Sequence, residues 1–358
     1  MKVLKAILVS TAFCCSSCVP VQYQSANANV SLSSPAAPPH VQSTSPTPRT
    51  VPDKRLQDEI AVIATEAKGK VGAYAVEIET GKTAALDENG HYAMQSVVKV
   101  PISMTVLKMA DEGRLKLDQL VNVAETDFAS ANQRSPIRNE FPLGTQMTVQ
   151  DLMKNAVVES DGTASDVLQR IAGGASSVQT YIESIGVSDI KIVWSHREFG
   201  LEWSRQYDNW LTAKSAANLF QKLLSFSSQA RTESAEPNKL SKQSADLLLQ
   251  FMTESNNPDD RILGMLPKGT VVAHKTGTGG TQNGVTSALN DVGIITMPNG
   301  NHVVIAVLVG DSTGNHQDRA GTIAKIAKAV FDKWSGVKPE PTKAVNSNVR
   351  LIPNKKGN

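Results

Sequence analysis

The chain has 358 residues, with 36 lysines and arginines against 34 aspartates and glutamates, so its formal net charge is +2. Hydrophobic residues make up 40% of the sequence and charged residues 20%, which is ordinary for a soluble globular protein. So small a charge argues against nucleic acid or an anionic membrane as the partner and favours a small-molecule site.

The first residues have the pattern of an export signal. Lys2 and Lys5 precede a short apolar run at 6–13, and Ala-Asn-Ala at 26–28 is a small-x-small cleavage site. The apolar run is too short to cross a bilayer as a helix, and no later segment is long and apolar enough to do so. We therefore predict a signal peptide over residues 1–28, a periplasmic or secreted protein and no transmembrane segment.

All three cysteines, at positions 14, 15 and 18, lie in this leader. Cys18 follows two serines and is a candidate lipid-attachment site that would tether the protein to a membrane. The alternative is a plain leader that is removed after Ala28. In either case the folded part has no cysteine, so we expect neither a disulfide nor a cysteine nucleophile.

The composition changes twice after the leader. Residues 29–52 are rich in serine, proline, threonine and alanine, so this stretch cannot bury enough apolar surface to fold and is predicted to be a flexible spacer. Globular patterning extends from 53 to about 336, and the polar tail at 337–358 is predicted to be loose. We expect one folded domain that is a monomer.

The predicted elements of this domain begin with a helix, from the apolar spacing of Leu56, Ile60 and Ala67. Two strands follow, at 71–78 and 83–86. Helical spacing then predominates, in segments near 96–112, 148–158, 163–172, 175–184, 212–225 and 240–254. Strand patterns return at 270–273, 290–297 and 302–309, and a closing helix is predicted over 317–334.

Strands therefore flank a helical middle. The simplest assembly is an α+β fold, in which strands from both chain ends form one antiparallel sheet flanked by helices, with an all-helical subdomain inserted between them. The sheet-containing part would span about 53–88 and 256–336, and the helical part about 89–255.

The first motif with a chemical meaning is Ser96-Val-Val-Lys99, at the start of a predicted helix. A spacing of three residues places both side chains on one helical face, so the lysine amine can accept the serine proton. The helix N-terminus also favours negative charge on the serine oxygen. The same pattern occurs at 188–191 and 335–338, where we interpret it as surface composition, so this motif alone is weak.

Two further motifs are tripeptides, Ser160-Asp161-Gly162 and Lys275-Thr276-Gly277. The first lies between two predicted helices and the second on a predicted strand. In this order and these contexts, the three motifs match the signature set of serine β-lactamases and penicillin-binding proteins. From about 53 to 334 the chain resembles a class A β-lactamase, with features of the extended-spectrum branch.

The resemblance implies a role for each motif residue. Ser96 would be the acylated nucleophile and Lys99 its proton partner. Ser160 would relay a proton to the leaving nitrogen, and Lys275 would place a cation beside it. Each of these residue types is also what acyl transfer requires on chemical grounds alone.

Substrate binding is implied for the strand that carries the third motif. Lys275, Thr276 and Thr278 would hold the substrate carboxylate beside Gly277, and the backbone N–H groups of Ser96 and Thr278 would form an oxyanion hole, typically worth ~10²–10³ in rate per donor. Arg261 lies where certain relatives place an arginine that supports the carboxylate site. The alternative for Arg261 is a surface pair with Asp259 or Asp260.

Deacylation in class A enzymes requires a glutamate that activates water. Glu198 takes that position in the resemblance, because Glu198-Phe-Gly-Leu-Glu202 is similar to the family's loop motif. Glu202 stands where most members have asparagine, which leaves open the group that orients the water. The alternative is that both are merely exposed acidic residues on a loop.

Two other positions depart from the family. Gly162 replaces a substrate-binding asparagine, so the side-chain amide is missing. The salt bridge that normally closes the catalytic loop is also missing, because His196 and Leu211 occupy the matching positions. Trp210 either packs where the bridge would lie or is an ordinary core tryptophan.

The sequence thus predicts hydrolysis of the β-lactam amide of penicillins and cephalosporins through a serine acyl-enzyme. The alternatives are a penicillin-binding peptidase or transpeptidase that acts on peptidoglycan, and a catalytically inactive domain that binds β-lactams or wall fragments. No metal and no cofactor are expected, because no cluster of ligands with metal spacing is present. Without its usual salt bridge the loop should be loose, so cephalosporins should be hydrolysed at least as well as penicillins.

Overall fold

A computed structural model describes residues 50–228, 238–256 and 260–336 of the chain. The predicted leader with Cys18 and the predicted tail lie outside these residues, and so does almost all of the predicted spacer. The last two spacer residues form a short strand, β1 (Val51–Pro52). None of the helices in the described ranges is both long and apolar enough to cross a membrane.

The amino-terminal part continues with one helix and two strands, α1 (Lys54–Ala64), β2 (Lys70–Glu77) and β3 (Lys82–Leu86). The middle of the chain is mainly helical. Its elements are β4 (Tyr92–Ala93), α2 (Lys99–Asp111), β5 (Leu120–Val123), α3 (Pro136–Glu140), β6 (Thr145–Thr148), α4 (Val149–Val157), α5 (Gly162–Ile171), α6 (Ala175–Ser184), β7 (Ile190–Lys191), α7 (His196–Phe199), β8 (Trp210–Leu211), α8 (Ala213–Ser228) and α9 (Lys242–Thr253).

The carboxy-terminal part returns to strands and ends in a helix. Its elements are β9 (Val272–Thr278), β10 (Thr281–Gln282), β11 (Val285–Thr296), β12 (His302–Ser312) and α10 (His316–Trp334). Strands from the two chain ends meet where β2 pairs antiparallel with β12. The main sheet has the order β1-β3-β2-β12-β11, and both β9 and β10 pair with β11. The predicted α+β fold with a sheet built from both chain ends is confirmed.

Both faces of this sheet are buried, as the side chains of β12 illustrate. Because successive strand residues point to opposite faces, two sets of apolar residues enter two different cores. Val303, Ile305, Val307 and Val309 pack with α1 and α10. Val304, Ala306 and Leu308 pack with the helical part, including α2 and α8. The sheet therefore separates two cores and presents one edge strand, β9, beside α9 and the turn at Gln95–Val98.

The structure differs from the predicted elements in three places that concern the site. The helix predicted from residue 96 begins as a 3₁₀ turn, Gln95–Val98, before α2. The strand predicted at 270–273 begins at Val272 instead and continues to Thr278, so it contains the whole Lys-Thr-Gly motif. The inserted part also contains small strand pairs, β5 with β6 and β8 with β4 and β7. Strands of two to four residues are too short to give a periodic sequence signal.

Candidate active site

The buried helix α2 places Lys99 beside Ser96. The Lys99 side chain is 1% exposed, and its Nζ lies 2.8 Å from Ser96 Oγ and donates to the Ser160 carbonyl oxygen at 2.9 Å. Burial lowers the pKa of Lys99 to about 7, although Asp161 and Asp166 act in the opposite direction. Much of Lys99 is therefore a neutral amine near pH 7, which can accept the Ser96 proton.

Ser160 lies between α4 and α5 with a left-handed backbone, at φ 56°. The following residue, Asp161, is completely buried, and its carboxylate accepts from the backbone N–H of Ala164 at 2.9 Å and of Ile137 at 2.7 Å. These bonds fix the turn and direct the Ser160 hydroxyl into the site. A non-glycine residue at positive φ is uncommon and often marks a functional position.

Lys275 reaches the same hydroxyl from β9. Its Nζ donates to Ser160 Oγ at 3.0 Å and to the Thr276 carbonyl oxygen at 3.2 Å, while Lys99 Nζ lies 3.4 Å from Ser160 Oγ. Burial and the neighbouring Lys99 and Arg261 cations lower the pKa of Lys275 well below its ordinary value. The Ser160 hydroxyl thus lies between two lysine amines and can exchange protons with either.

Gly277 explains how β9 comes so close to the nucleophile. A Cβ atom at this position would lie 3.0 Å from the Met94 carbonyl oxygen and 3.1 Å from Gln95 Cβ. Only a residue without a side chain fits this approach comfortably. The glycine therefore lets the strand residues Thr276 and Thr278 border the cleft that contains Ser96.

Arg261 lies beneath the end of β9. Its Nη2 donates to Thr278 Oγ1 at 2.8 Å, and its Nη1 donates to the carbonyl oxygens of Gly277 at 3.2 Å and Asn290 at 2.9 Å. Its Nε also lies 3.5 Å from Asp260 Oδ1, so one of the predicted acidic partners is present, but the arginine is buried and not on the surface. Its role at the carboxylate site stays a prediction. Asp259, the other predicted partner, lies outside the described residues.

A cleft of about 830 Å³ opens above these groups. One side is formed by Ser96, Lys99, Ser160, Thr276, Thr278 and Arg261. Segment 193–209, which we call the catalytic loop, forms the opposite side through residues that include His196, Leu201, Glu202 and Trp203. Four of the five predicted catalytic residues thus meet at or directly beneath the cleft.

The fifth predicted catalytic residue, Glu198, is turned away from them. Its side chain is exposed, and its carboxylate accepts from the backbone N–H of Ser195 at 2.9 Å, which caps the short helix α7. Glu202 borders the cleft instead, with its carboxylate bonded to the Ser204 hydroxyl at 2.6 Å and 3.4 Å from Arg205 Nε. The assignment of the deacylating base therefore stays a prediction.

Gly162 is the first residue of α5 and is packed too closely for an ordinary side chain. A Cβ atom there would lie 3.0 Å from Ala129 Cβ and 3.1 Å from the Arg134 carbonyl oxygen. An asparagine at this position would therefore require residues 129 and 134 to move. The glycine that replaces the family's asparagine therefore matches the close packing of residues 129 and 134 around it.

Comparisons with known proteins agree with this geometry. The β-lactamase enzyme family matches residues 55–334. The chain is 34% identical to β-lactamase VEB-1 of Pseudomonas aeruginosa over 265 residues, which is 74% of this chain and 85% of that protein. It is 32% identical over 278 residues to the extended-spectrum β-lactamase PER-1 of the same species, which is 77% of this chain and 86% of that protein.

Among solved structures, a class A β-lactamase from Bacteroides cellulosilyticus is 28% identical with a TM-score of 0.71, covering 80% of this chain and 99% of that chain. The chain belongs to the class A serine β-lactamases. It therefore hydrolyses β-lactams, and the predicted family, fold and enzyme class are confirmed.

The β-lactamase closes its catalytic loop without the family's salt bridge. His196 is buried 3.4 Å from Asp166, but burial and the Lys99 cation lower its pKa to about 4, so it is neutral at pH 7. The neutral side chain of Asn209 joins the two ends of the loop instead. Its Oδ1 accepts from the backbone N–H groups of Val193 at 2.8 Å and Trp194 at 2.9 Å, and its Nδ2 donates to the Trp194 carbonyl oxygen.

Trp210 does not replace the bridge. It is only partly buried and stacks on His91, with the ring centroids 3.6 Å apart. The β-lactamase loop is thus held by hydrogen bonds at its ends, and the expectation that a missing salt bridge makes it loose is not supported by these contacts.

Two polar residues that organise this site had no role predicted from the sequence. Asn290 donates through Nδ2 to the Ala93 carbonyl oxygen at 2.8 Å, which joins β11 to the segment before Ser96. Asp166 accepts from the backbone N–H groups of His196 and Arg197, both at 2.7 Å, and so holds the start of α7. A usable signal existed for Asn290, since it and Asp291 are polar residues at the beginning of a predicted strand that is mainly apolar after them.

Proposed function

We propose that the β-lactamase opens the lactam amide by attack of Ser96 Oγ on the carbonyl carbon, with Lys99 as the general base. The observation that carries this proposal is the 2.8 Å contact between Lys99 Nζ and Ser96 Oγ in a site where Lys99 has a pKa of about 7. An ordinary lysine would be protonated at this pH and could not accept the proton. Positioned general bases typically contribute ~10²–10⁴ in rate.

Collapse of the tetrahedral intermediate requires a proton on the lactam nitrogen. Ser160 supplies it from its hydroxyl, which is within 3.4 Å of Lys99 Nζ and 3.0 Å of Lys275 Nζ. The proton that Lys99 took from Ser96 then returns through Ser160 to the leaving nitrogen. Bond breaking and proton transfer stay balanced within the three residues, without a proton from bulk water.

The carboxylate of the substrate is assigned to the end of β9. Thr276 and Thr278 border the cleft there, and the Arg261 guanidinium lies directly behind Thr278 Oγ1. Arg261 is 3% exposed, so its charge is little screened by water and favours an anion at this end. The backbone N–H groups of Ser96 and Thr278 are assigned to the carbonyl oxygen on which charge develops.

Deacylation is assigned to Glu198, whose position matches the family's general base. In the unliganded enzyme its carboxylate caps α7, and it must rotate towards the acyl ester to activate water. A helix cap of this kind is typically worth ~1 kcal/mol, so leaving it costs far less than a general base contributes to the rate. Glu202, already at the cleft, is assigned to positioning the water.

The substrate range and the location complete the proposal. PER-1 is named an extended-spectrum enzyme, and this relationship supports cephalosporins as well as penicillins as substrates. The leader over residues 1–28 supports export to the periplasm or the medium, with Cys18 as the site of a lipid tether if one is attached. We assign the folded domain as a monomer.

Ser96→Ala tests the proposal directly. It should abolish both hydrolysis of a chromogenic cephalosporin and covalent labelling by penicillin, measured by mass spectrometry of the intact protein. Ser103→Ala is the matched control, because this serine is on α2, directly after the turn that carries Ser96, and its buried hydroxyl has no partner in the described part of the chain. An adduct mapped to another residue of the wild type would contradict the assignment.

A further inference from the structure

Two buried residues of the main sheet take no part in the reaction steps described above. His274 precedes Lys275 on β9, and Asp291 lies on the neighbouring strand β11. Their side chains are 2% and 0% exposed, and His274 Nδ1 lies 2.9 Å from Asp291 Oδ1 and 3.1 Å from Oδ2. An ionised carboxylate can only accept, so Nδ1 carries the hydrogen and donates to Asp291. We call these two residues the His–Asp pair.

Room for the imidazole comes from a glycine on the facing strand. Gly293 is paired with His274 in the antiparallel register of β9 and β11. A Cβ atom at this position would lie 2.9 Å from His274 Cβ and 3.3 Å from Ile262 Cδ1. A side chain at position 293 would therefore displace His274, Ile262 or both, and the glycine allows the His–Asp pair to form.

The His–Asp pair is bonded to the segment that carries Arg261. Asp291 Oδ2 accepts from the backbone N–H of Ile262 at 3.1 Å, one residue after the arginine. The Arg261 side chain reaches β9 through its bond to Thr278 Oγ1. Burial lowers the pKa of Arg261, and the Asp291 carboxylate acts in the opposite direction. Asp291 therefore fixes the backbone beside Arg261 and also favours its positive charge.

Removal of the imidazole would leave the buried carboxylate short of donors. In the part of the chain that the structure describes, the remaining hydrogen-bond donor to Asp291 is the Ile262 N–H. A buried carboxylate that loses a partner is costly, so it takes up a proton or turns towards another donor. Either change alters the position or the charge balance of the segment that carries Arg261.

We infer that His274 is a positioning residue for recognition of the substrate carboxylate and acts through Asp291 on Arg261. The inference rests on the proposed function, which assigns that carboxylate to the end of β9. Arg261 borders the cleft, whereas His274 and Asp291 do not. The effect of the His–Asp pair on the substrate must therefore pass through the arginine.

The test compares a chromogenic cephalosporin with its methyl ester, which keeps the lactam but lacks the negative charge. The ratio of the two kcat/KM values, acid over ester, measures the carboxylate preference of the enzyme. His274→Ala should lower this preference about tenfold, because a misplaced charged group binds its partner less well. The loss should lie mainly in a higher KM for the acid, with kcat for the acid nearly unchanged.

Two further variants separate the hydrogen bond from general effects of the substitution. His274→Asn should restore most of the preference, since its amide can donate from nearly the same place as Nδ1. His302→Ala is the matched control, because this histidine also lies 2.8 Å from a carboxylate, that of Glu79, but is 36% exposed and lies at the start of β12. It should leave the carboxylate preference unchanged.

A double-mutant cycle tests the route through Arg261. Arg261→Ala should itself lower the carboxylate preference at least as much as His274→Ala does. In the Arg261→Ala background, His274→Ala should cause no further loss, because the residue through which it acts is gone. Equal losses of preference from His274→Ala in the two backgrounds would overturn the inference.

Asp291→Asn keeps the test decisive if His274→Ala does not fold. Its amide has one acceptor oxygen in place of two, so either His274 or Ile262 loses its bond, and the preference should fall by a similar factor. A parallel loss on acid and ester in either variant, or a failure of His274→Asn to restore the preference, contradicts the positioning role. An unchanged preference in Arg261→Ala overturns the carboxylate assignment of the proposed function as well. A lowered preference there, with no change in His274→Ala or Asp291→Asn, overturns only the role of the His–Asp pair.

Discussion

The acylation centre and the catalytic loop hold their functional side chains in opposite ways. Lys99, Ser160 and Lys275 are buried, and each lysine Nζ lies within 3.4 Å of Ser160 Oγ. Glu198 and Glu202 are exposed, the latter with 61% of its side chain accessible, and their carboxylates are bonded to atoms of the loop itself. The first chemical step is therefore preorganised in the unliganded enzyme, whereas the second requires a side chain to move.

The backbone of the loop is nevertheless firmly attached. Asn209 joins its two ends, Gln206 binds it to the segment before Ser96, and Asp166 holds the start of α7. The backbone of the loop, which we call the loop frame, is thus fixed, whereas the carboxylate side chains that it carries can move. Fixing the backbone of the loop keeps the distance to the ester short, while the exposed carboxylate stays solvated until it is used.

The largest expected effect is on deacylation, the second chemical step, while acylation should continue. Glu198→Gln keeps the shape of the side chain but removes the base, so deacylation should slow by ~10²–10⁴ while acylation continues. The acyl-enzyme should accumulate on Ser96, and turnover of a chromogenic cephalosporin should stop after one burst. Rapid-mixing kinetics with mass spectrometry measures both.

Glu202→Gln is the matched control for this prediction. It makes the same chemical change four residues further along the same loop, and deacylation should slow much less. If Glu202→Gln stalls as the acyl-enzyme while Glu198→Gln turns over normally, the two roles are exchanged. A wild type that itself stalls after one burst would instead favour the penicillin-binding alternative.

The pH dependence of acylation tests the role of Lys99 in the preorganised acylation centre. Lys99 acts as a base only when neutral, and its pKa is lowered to about 7 by burial. Acylation should therefore rise with pH up to about 7 and level off above it, because the neutral fraction falls about tenfold for each pH unit below the pKa. Single-turnover acylation measured by stopped flow checks this profile. A rate that is independent of pH on both sides of about 7 would contradict the role of Lys99.

The sequence predicted most of the acylation centre because its residues lie on regular elements. Ser96 and Lys99 occupy one helical turn, and Lys275 and Thr276 lie on a strand, so residue spacing determines which side chains share a face. The β9 strand was predicted too short, yet the alternation of its side chains still placed Lys275 towards the cleft. Local periodicity was sufficient there.

The catalytic loop could not be predicted in the same way, because no period connects its residues to their partners. Gln206 binds Gln95 and Ser287, which are 111 and 81 residues away in the chain. The missing salt bridge was visible in the sequence, but the replacement by Asn209 was not, since an asparagine near a loop end is compatible with many turns.

A smaller effect is expected from loosening the frame. Asn209→Ala leaves the N–H groups of Val193 and Trp194 without their acceptor, and we expect the free energy of unfolding to fall by about 1–3 kcal/mol. Chemical denaturation measures the change. Asp208→Ala is the matched control, because it removes one exposed hydrogen bond from the adjacent position and should cost no more than about 0.5 kcal/mol. Equal losses of unfolding free energy in the two variants would show that Asn209 does not hold the two ends of the loop together.

The smallest effect is expected at the outer anchor of the loop. Tyr207 Oη donates to Asp311 Oδ1 at 2.8 Å, and Asp311 Oδ2 also lies 2.9 Å from Lys70 Nζ. Burial and Asp311 raise the pKa of Tyr207 to about 12, so its hydroxyl stays a donor at any working pH. Tyr207→Phe removes this bond from a site that water can reach, and Asp311 keeps its lysine.

We therefore expect Tyr207→Phe to cost about 0.5–1 kcal/mol of unfolding free energy in chemical denaturation. Its deacylation rate should match the wild type, because Asn209 and Gln206 still hold the frame near the cleft. If deacylation slows tenfold or more, the outer anchor controls the carboxylates, and the loop moves as one body rather than as a fixed frame with mobile side chains. Measuring both quantities on one preparation separates the stability of the frame from the mobility of the carboxylates it carries.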